Sequence, residues 1–311
     1  MIELTVILPT HRPHPGRLRR TLVGLRSQTL ASERWETVLI DNASTPALAA
    51  TDFGSDSPAN LRVLREPVLG LSHARRCGFQ AARGAILVLV DDDNVLAPDY
   101  LTQVLNHFAK HPAVGAVGGR SLPEFEIPMV NWQKEFSALL ALRDLGPQVI
   151  ISEPFAPDSP RLHYPDCAPI GAGMALRRAA AEPWLLRADP AALTDRLGDA
   201  LTSGGDNDIV LHALRAGWSV AYFPELVLTH LIPASRLQPV YLARLNRGIQ
   251  RSWMQVLSLH HANPWPPLTP LGARLRMLKA WFRHFPLFSR TPAARIRWLG
   301  TVGHFEGRIR P

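Results

Sequence analysis

The amino-acid sequence predicts an α/β protein in which a mostly parallel sheet is flanked by helices and followed by a C-terminal helical appendage. Two observations lead to this prediction. Strands that are apolar throughout alternate with helical patterns over the first 120 residues, and such strands are typical of parallel sheets covered on both faces. Beyond residue 238 the pattern becomes helical and then basic.

The elements of the first 120 residues are predicted in alternating order. Short apolar runs that end at turn-forming or acidic residues predict strands, at 4–8, 37–40, 61–64, 85–90 and 114–118. Apolar residues three or four apart predict the intervening helices, at 16–30, 72–83 and 99–110. Ser72 is the expected N-cap of the second helix, because its hydroxyl can accept a hydrogen bond from a free backbone N–H group.

The second half of the chain is less regular. Its predicted elements are a helix at 131–142, a glycine-containing strand or turn at 167–176, a helix at 206–216, and strands at 219–223 and 226–228. We predict a division of the chain into an α/β domain over 1–238 and a helical appendage over 239–311.

The composition is that of a folded protein without a membrane-spanning segment. Of the 311 residues, 46% are hydrophobic and 19% are charged, which is ordinary for a globular chain. Two cysteines, Cys77 and Cys167, are too few for a disulfide framework. Residues 1–9 lack the features of a signal peptide, and no run of about 18 apolar residues is present. We therefore expect a cytoplasmic location.

The net charge of +8 is confined to the C-terminal end. Residues 271–311 contain nine Lys or Arg and one acid, so the first 270 residues carry no net charge, which argues against nucleic-acid binding. Cationic and aromatic residues interleave at helical spacing in 274–285, which suits an anionic membrane surface. The alternative is a helix packed on the protein, with Trp281 and Phe285 in contact and the arginines solvated.

Three consecutive aspartates follow the strand predicted at 85–90: Asp91, Asp92 and Asp93. Their mutual repulsion is unfavourable unless a cation binds or water screens them. Carboxylates at the carboxyl end of a strand are suitable ligands for Mg²⁺ or Mn²⁺, and the alternative is a solvated acidic turn. His230, which also follows an apolar run, is a candidate second ligand, although a lone histidine is more often structural.

Two further acids, Asp206 and Asp208, open a predicted helix behind two glycines. One interpretation is capping of the helix and compensation of its dipole, which acids in the first turn commonly provide. The other is a general base on a loop with glycine hinges. The residues alone leave both interpretations open.

Five segments, in this order, resemble those of family 2 glycosyltransferases with the GT-A fold, a Rossmann-like nucleotide-binding architecture. They are Leu-Thr-Val-Ile-Leu-Pro-Thr at 4–10, Val-Leu-Ile-Asp-Asn-Ala-Ser at 38–44, Gly-Leu-Ser-His-Ala-Arg-Arg-Cys-Gly at 70–78 with the aspartates at 91–93, Gly-Ala-Gly-Met-Ala-Leu-Arg at 171–177, and Gly-Gly-Asp-Asn-Asp-Ile at 204–209. The resemblance covers roughly residues 2–235.

The resemblance implies an inverting glycosyltransferase that needs Mn²⁺ or Mg²⁺ and a nucleotide diphosphate sugar, with a UDP-sugar as the expected donor. Residues 1–120 would bind the donor and residues 121–238 the acceptor. The donor-binding residues would be Pro9, Thr10, Arg12, Asp41, Arg75, Asp91 and Asp92, with Asp41 accepting a hydrogen bond from the base.

The same resemblance implies roles in catalysis and on the acceptor side. Asp93 and His230 would hold the metal, and Asp206 would be the catalytic base. Gly173, Met174 and Asp208 would lie on the acceptor side. We expect an enzyme of cell-surface polysaccharide biosynthesis that acts in the cytoplasm, peripherally on the inner face of the cytoplasmic membrane.

Two departures from the family pattern qualify these roles. The family usually has Glu before the catalytic Asp, where this chain has Gly205, so an acceptor contact made by that Glu is in doubt. Processive polysaccharide synthases carry Gln-x-x-Arg-Trp, whereas this chain has Gln-Arg-Ser-Trp at 250–253. The second departure favours transfer of a single sugar to a hydroxyl of a glycan or lipid-linked glycan.

Two other classes of protein are considered. A sugar-phosphate nucleotidyltransferase would need a glycine-rich, basic loop after the first strand, and residues 9–16 are instead rich in proline with one glycine. A nucleotide-sugar-binding protein without transfer activity would keep Asp41 and the aspartate cluster but would have no use for Asp206. The departure at Gly205 leaves this second alternative open.

Overall fold

A sheet of nine strands, counted over the described residues, forms the centre of the fold. The computed structural model describes residues 1–155, 164–189, 193, 195, 201–285 and 291–309. The strands are β1 (Leu4–Thr10), β2 (Trp35–Asn42), β3 (Leu61–Glu66), β4 (Ile86–Leu89), β5 (Asn94–Leu96), β6 (Val114–Phe125), β7 (Ile150–Ser152), β8 (Ala175–Arg177) and β9 (Ser219–Ile232).

Five α-helices alternate with the strands, and three more follow the last strand, counted over the described residues. They are α1 (Pro15–Arg26), α2 (Leu71–Ala81), α3 (Tyr100–Lys110), α4 (Arg178–Arg187), α5 (Gly205–Arg215), α6 (Pro239–Leu259), α7 (Pro270–His284) and α8 (Pro292–Glu306). The segment Asn131–Leu140, predicted as a helix, has the 3₁₀ conformation.

Parallel pairing brings the carboxyl ends of β1, β2 and β4 to one edge of the sheet. The strand order is β3-β2-β1-β4-β8-β6-β9-β5, with β7 paired to β9. Strands β1 to β4 are parallel, and β8 is antiparallel to both of its neighbours. The register places Thr10 beside Asp41 and Ile7 beside Leu89, so the residues that follow these strands lie together. The predicted α/β class with a mostly parallel sheet is confirmed.

The alternation of side chains along β1 explains why the sheet is covered on both faces. All seven residues of β1 are buried. Val6 packs in the same cluster as Leu22 of α1, whereas Ile7 packs in another cluster with Phe79 of α2 and Trp184 of α4. Successive side chains of a strand point to opposite faces, so an unbroken apolar run requires a layer of helices on each side.

Some local predictions were wrong or incomplete. The strands predicted at 219–223 and 226–228 form one strand, β9, because the pairing with β6 is irregular between Tyr222 and Val227 and so tolerates Pro224. Ser72 is not an N-cap: Gly70 precedes α2, and the Ser72 hydroxyl donates to the carbonyl of Leu193. The short strands β5 and β7 and the helix α4 were not predicted.

The C-terminal helices pack on one another and on the α/β part of the chain. Leu242 and Leu245 of α6 share a buried cluster with Phe136 and Ile232. A Cβ atom at Gly303 of α8 would lie 2.1 Å from the carbonyl oxygen of Arg247, so α6 and α8 touch backbone to backbone. No helix of the described part of the chain is long and apolar enough to span a bilayer. The division at residue 238 stays a prediction.

Candidate active site

The three aspartates form a turn at the carboxyl end of β4. The N–H of Asn94 donates to the carbonyl of Asp91 over 3.0 Å, and this bond closes the turn before β5 begins. Asp93 is buried, and the side-chain amide of Asn94 donates to its Oδ1 over 3.1 Å. The turn therefore points a buried carboxylate at the edge of the sheet where ligands of such folds bind.

His230 comes to this turn through the pairing of β5 with β9. The register places Asn94 opposite His230, and the N–H of Leu231 donates to the carbonyl of Asp93 over 2.9 Å. The His230 Nε2 atom consequently lies 3.3 Å from Asp93 Oδ1, and both side chains are about 5% exposed. The structure thus brings together two side chains that are 137 positions apart in the chain.

Arg236 is a third member of this group and was not predicted. Its Nη2 lies 2.8 Å from Asp93 Oδ2, and its Nη1 lies 3.1 Å from His230 Nε2. Burial opposes ionisation of Asp93, but His230 and Arg236 outweigh it and hold the pKa of that carboxyl below its usual range. The guanidinium therefore neutralises Asp93 where the sequence predicts a metal ion.

Asp92 faces the end of β1. The hydroxyl of Thr10 donates to its Oδ2. Burial and the neighbouring charge of Asp93 raise the pKa of Asp92. Asp92 and Asp93 thus differ in state: Asp93 is paired with the Arg236 cation, whereas Asp92 is held by a hydroxyl and its anionic form is disfavoured.

Asp206 lies in the first turn of α5, beside the loop that leads to β8. Its Oδ2 accepts the N–H of Gly171 over 2.9 Å, and its Oδ1 accepts the N–H of Asn207 over 3.0 Å. Two backbone donors thus fix the carboxylate while leaving it further lone pairs. This geometry suits a base with a defined orientation.

One cavity of about 330 Å³ joins these groups. Eight predicted site residues line it: Pro9, Thr10, Arg75, Asp91, Asp92, Asp93, Asp206 and His230. Residues that were not predicted also line it, among them His11, Asn42, Asp195, Arg236 and Tyr241. His11 and Asn42 stand at the ends of β1 and β2, where the strand-end signal could have found them. Asp195, Arg236 and Tyr241 lie in no quoted motif and reach the cavity through tertiary packing.

The remaining predicted donor residues lie beside the cavity rather than in its lining. Asp41 is fully buried and accepts hydrogen bonds from the N–H groups of Ser44 and Leu48, and Arg65 Nη1 lies 3.0 Å from its Oδ2. The N–H of Arg12 donates to the Ser44 hydroxyl over 2.9 Å. Both residues therefore shape the loop after β2 in the structure.

The residues predicted for the acceptor side are also outside the cavity lining. Met174 is buried in the core, and Gly173 has a left-handed φ of 75° where a Cβ would meet Leu228. Asp208 accepts the indole N–H of Trp184 over 2.8 Å and lies 2.7 Å from His260 Nε2. Gly171 and Ala172, which directly precede Gly173, line the cavity instead.

The fold is similar to that of a solved glycosyltransferase structure. Over 97% of this chain and 72% of the other, the fold is similar to that of the mannosyltransferase PcManGT from Pyrobaculum calidifontis, solved in complex with GDP-Man and Mn²⁺, with a TM-score of 0.53 and 18% identity. At that identity the similarity shows the fold, which is of the GT-A type.

Two curated relatives come from Rhizobium meliloti (strain 1021). The succinoglycan biosynthesis protein ExoM is 24% identical over 75% of this chain and 68% of its own length. The succinoglycan biosynthesis protein ExoW is 29% identical over a stretch that spans 36% of each chain.

The family is shown by a match that covers more than half of the chain. The model for glycosyl transferase family 2 matches residues 5–182. The chain therefore belongs to glycosyl transferase family 2 and is a glycosyltransferase. A sugar-phosphate nucleotidyltransferase is set aside by this assignment.

Asp208 links α5, the helix that carries Asp206, to His260 at the end of α6. The groups at this contact predict a dependence of stability on pH. His212 packs beside it, with its ring centroid 4.9 Å from that of His260, and burial lowers the pKa of His212 to about 4. The pKa of a histidine in the unfolded chain is about 6.5, so below that pH the unfolded chain binds a proton at this residue and the folded chain does not. Stability should fall as the pH drops from about 6.5 to about 4.

The substitution His212→Gln should flatten this part of the profile. The measurement is the free energy of unfolding by urea at several pH values between those limits. His261→Gln, on an exposed neighbour, is the control and should leave the slope unchanged. Equal slopes for wild type and His212→Gln would contradict the prediction.

Proposed function

We propose that the protein transfers a single sugar, with inversion, from a nucleotide diphosphate sugar to a hydroxyl of a glycan or lipid-linked glycan. The observation that carries the proposal is that Asp206, Arg75 and the pair Asp93–His230 line one cavity. Such a cavity offers a base for an acceptor and positive charge for a leaving diphosphate. The names of ExoM and ExoW support a place in polysaccharide biosynthesis.

In the proposed reaction Asp206 removes the proton of the acceptor hydroxyl as the oxygen attacks the anomeric carbon. The bond to the diphosphate breaks on the opposite face, so the configuration inverts and one base suffices. The N–H groups of Gly171 and Asn207 hold the carboxylate in place during this step. Arg75, which lines the same cavity, is positioned to bind the diphosphate.

The residues present fit a divalent cation. Asp93 offers a carboxylate oxygen and His230 an imidazole nitrogen 3.3 Å from it, and both are nearly inaccessible to water. An O/N donor set suits Mn²⁺ better than Mg²⁺. Bound there, the cation would act as a Lewis acid for the negative charge that develops on the diphosphate.

Arg236 competes with a cation for these ligand atoms, because its guanidinium lies against both Asp93 and His230. We propose that Arg236 moves from Asp93 to the donor diphosphate when a cation binds. A guanidinium is suited to both partners, since its planar donors match carboxylate and phosphate oxygens.

The donor base is proposed to be uracil, read by Asp41 as the family resemblance implies. To bind Asp41, the base would have to replace one of the present hydrogen-bond partners of Asp41. Arg65 is the partner that could be replaced, because its side chain is half-exposed. The solved complex of PcManGT contains GDP-Man, so guanine is the base to compare with uracil in a direct test.

The substitution Asp206→Asn tests the base. It removes the proton acceptor but keeps the shape and the hydrogen bond from Gly171, so transfer should fall by about 10²–10⁴-fold. Binding of UDP or GDP, measured by calorimetry, should change little. Turnover near that of the wild type would remove Asp206 from the mechanism, and loss of nucleotide binding would point to a folding defect instead.

Removal of divalent cations tests the metal proposal. Chelation should abolish transfer, and Mn²⁺ should increase the rise in melting temperature that UDP or GDP produces, because a ligand of the native state alone stabilises it. Asp93→Asn should lose this Mn²⁺-dependent part. If chelation leaves transfer unchanged while Arg236→Ala abolishes it, the guanidinium rather than a cation neutralises the diphosphate.

The helix α7 supports a membrane location for this reaction. Leu271, Leu275, Leu278 and Phe282, at helical spacing, form an apolar stripe, and these side chains are 66%, 60%, 56% and 69% exposed. Ala273 and Ala280 are buried on the opposite face, and the Trp281 ring packs against Trp298 of α8 at 4.8 Å. The helix is therefore held by α8 while its leucine stripe faces solvent.

The charges around the stripe indicate the partner. Helix α7 contains no acidic residue. Its lysine and arginines are exposed, and they are Arg274, Arg276, Lys279 and Arg283. An apolar face bordered by cations matches the interface of an anionic bilayer, where the leucines enter the acyl boundary and the cations meet lipid phosphates. We propose that α7 lies in the surface of an anionic membrane, where a lipid-linked acceptor would be found.

Sedimentation with liposomes tests this surface. The wild-type protein should bind vesicles that contain phosphatidylglycerol and bind pure phosphatidylcholine weakly, because the basic residues contribute about 1 kcal/mol each near an anionic surface. Leu275→Glu with Leu278→Glu should abolish binding without lowering the melting temperature. Leu186→Glu, on the exposed face of α4, is the matched control and should bind as the wild type does. Absence of binding at low salt would overturn the proposal.

A further inference from the structure

The space beside Gly205 is filled by a side chain from another segment. A Cβ atom at Gly205 would lie 2.7 Å from Asp195 Oδ2 and 3.3 Å from both Arg75 Nη1 and Ser72 Oγ. The backbone of Gly205 is not left-handed, unlike that of Gly204 with a φ of 135°. Glycine is therefore required at position 205 for room and not for backbone conformation.

The side chain that fills this space is paired with Arg75. Asp195 Oδ2 lies 3.0 Å from Arg75 Nη1, and both side chains are 4% exposed. A buried guanidinium is costly without a carboxylate partner, so Asp195 makes the burial of Arg75 possible. Asp195 occupies the place next to residue 205 and supplies the negative charge there.

The pair adjoins the base. Arg75 Nη2 lies 2.6 Å from where a Cβ of Gly171 would be, and the N–H of Gly171 holds Asp206. Arg75, Asp195 and Asp206 all line the cavity, and the buried Nε of Arg75 has no acceptor among the described residues. The guanidinium therefore has donor capacity left for a ligand, and its positive charge favours an anionic one in the cavity that it lines.

We propose that Asp195 is a positioning residue for the transfer reaction, in place of an acidic side chain at position 205. Its carboxylate holds the Arg75 guanidinium beside Asp206, so that the remaining donors of Arg75 meet the donor diphosphate while the base meets the acceptor. The role rests on the proposed function. It also explains the departure from the family pattern: the acid next to the base comes from residue 195, and residue 205 is glycine to admit it.

Moving the carboxylate from one segment to the other tests this role. Asp195→Ala should weaken the binding of UDP and GDP and lower kcat/KM, each by about tenfold or more, because the Arg75 donors lose their orientation. The double variant Asp195→Ala with Gly205→Glu should recover both to within a few-fold of the wild type. Asp195→Ala with Gly205→Gln is the matched control, since it fills the same space without charge, and it should not recover them.

Gly205→Glu alone provides a further check. With Asp195 present, the new side chain would meet a carboxylate at 2.7 Å, so this variant should be less active than the double variant that contains it. Asp195→Asn keeps the shape and removes the charge, and it should behave as Asp195→Ala does. The asparagine variant therefore still tests the role of the charge if the alanine variant folds poorly.

The outcomes separate this proposal from the proposed function. If the wild type binds nucleotide diphosphates and the Glu and Gln double variants behave alike, Asp195 does not act through its charge and the inference is overturned. If the wild type binds no nucleotide diphosphate, the proposed function fails instead. In that case the melting temperatures still test whether Arg75 needs a carboxylate beside it. The double variant with Glu at position 205 should then have a higher melting temperature than the double variant with Gln.

Discussion

The burial of β1, β2 and β4 on both faces is the constraint on which the site depends. Strands whose residues are buried throughout cannot lie at a surface, so helices cover both sides of the sheet and the acids that could bind a ligand lie at the carboxyl ends of the strands. Because these strands are parallel, their carboxyl ends meet, and the acids that follow them crowd at one edge. Crowded carboxylates are unfavourable without opposite charge, and the later part of the chain supplies it.

The later part of the chain balances charge at two places in the cavity wall, at one by adding a cation and at the other by adding a carboxylate. Asp93 is paired with His230 and Arg236, and Arg75 is paired with Asp195. These contacts leave little net charge in each group and hold the charged side chains in fixed positions. The exchange proposed for Arg236 would replace one cation beside Asp93 by another, so the balance of charge there would be kept.

The C-terminal helices add a second level of organisation. Helix α6 packs on the α/β part, α8 packs on α6 at Gly303, and α7 packs on α8 through Trp281 and Trp298. The apolar stripe of α7 is exposed and has no partner among the residues that the structure describes. The packing agrees with the second interpretation of the basic segment, and binding of this segment to a membrane stays a proposal. Trp281 and Phe285 are in contact, at 4.2 Å between ring centroids, and the leucines and basic residues of α7 are exposed.

Much of the fold and part of the candidate site could be predicted because their signals are local. Apolar runs predicted β1 to β4 and β6, and acids directly after a buried strand predicted the place of Asp93. His230 was found by the same signal, a polar residue after an apolar run. Arg236 and Asp195 gave no such signal, since an arginine or an aspartate in an irregular segment is ordinary in any sequence.

The sequence by itself determined the layered α/β class, the edge of the sheet at which the acids gather, and the basic helical end. These follow from hydrophobic periodicity and from the chemistry of side chains next to strand ends, which depend on neighbours a few residues away. Only the tertiary structure decided which cation meets which carboxylate, that Asp41 and Asp208 are held by their own loop and helix partners, and that Asp195 stands beside Gly205. Those choices depend on strand register and on contacts between segments far apart in the chain, such as Arg75 and Asp195, 120 positions apart. No local pattern specifies such a pair, because its energy exists only when the rest of the fold has brought both partners out of water.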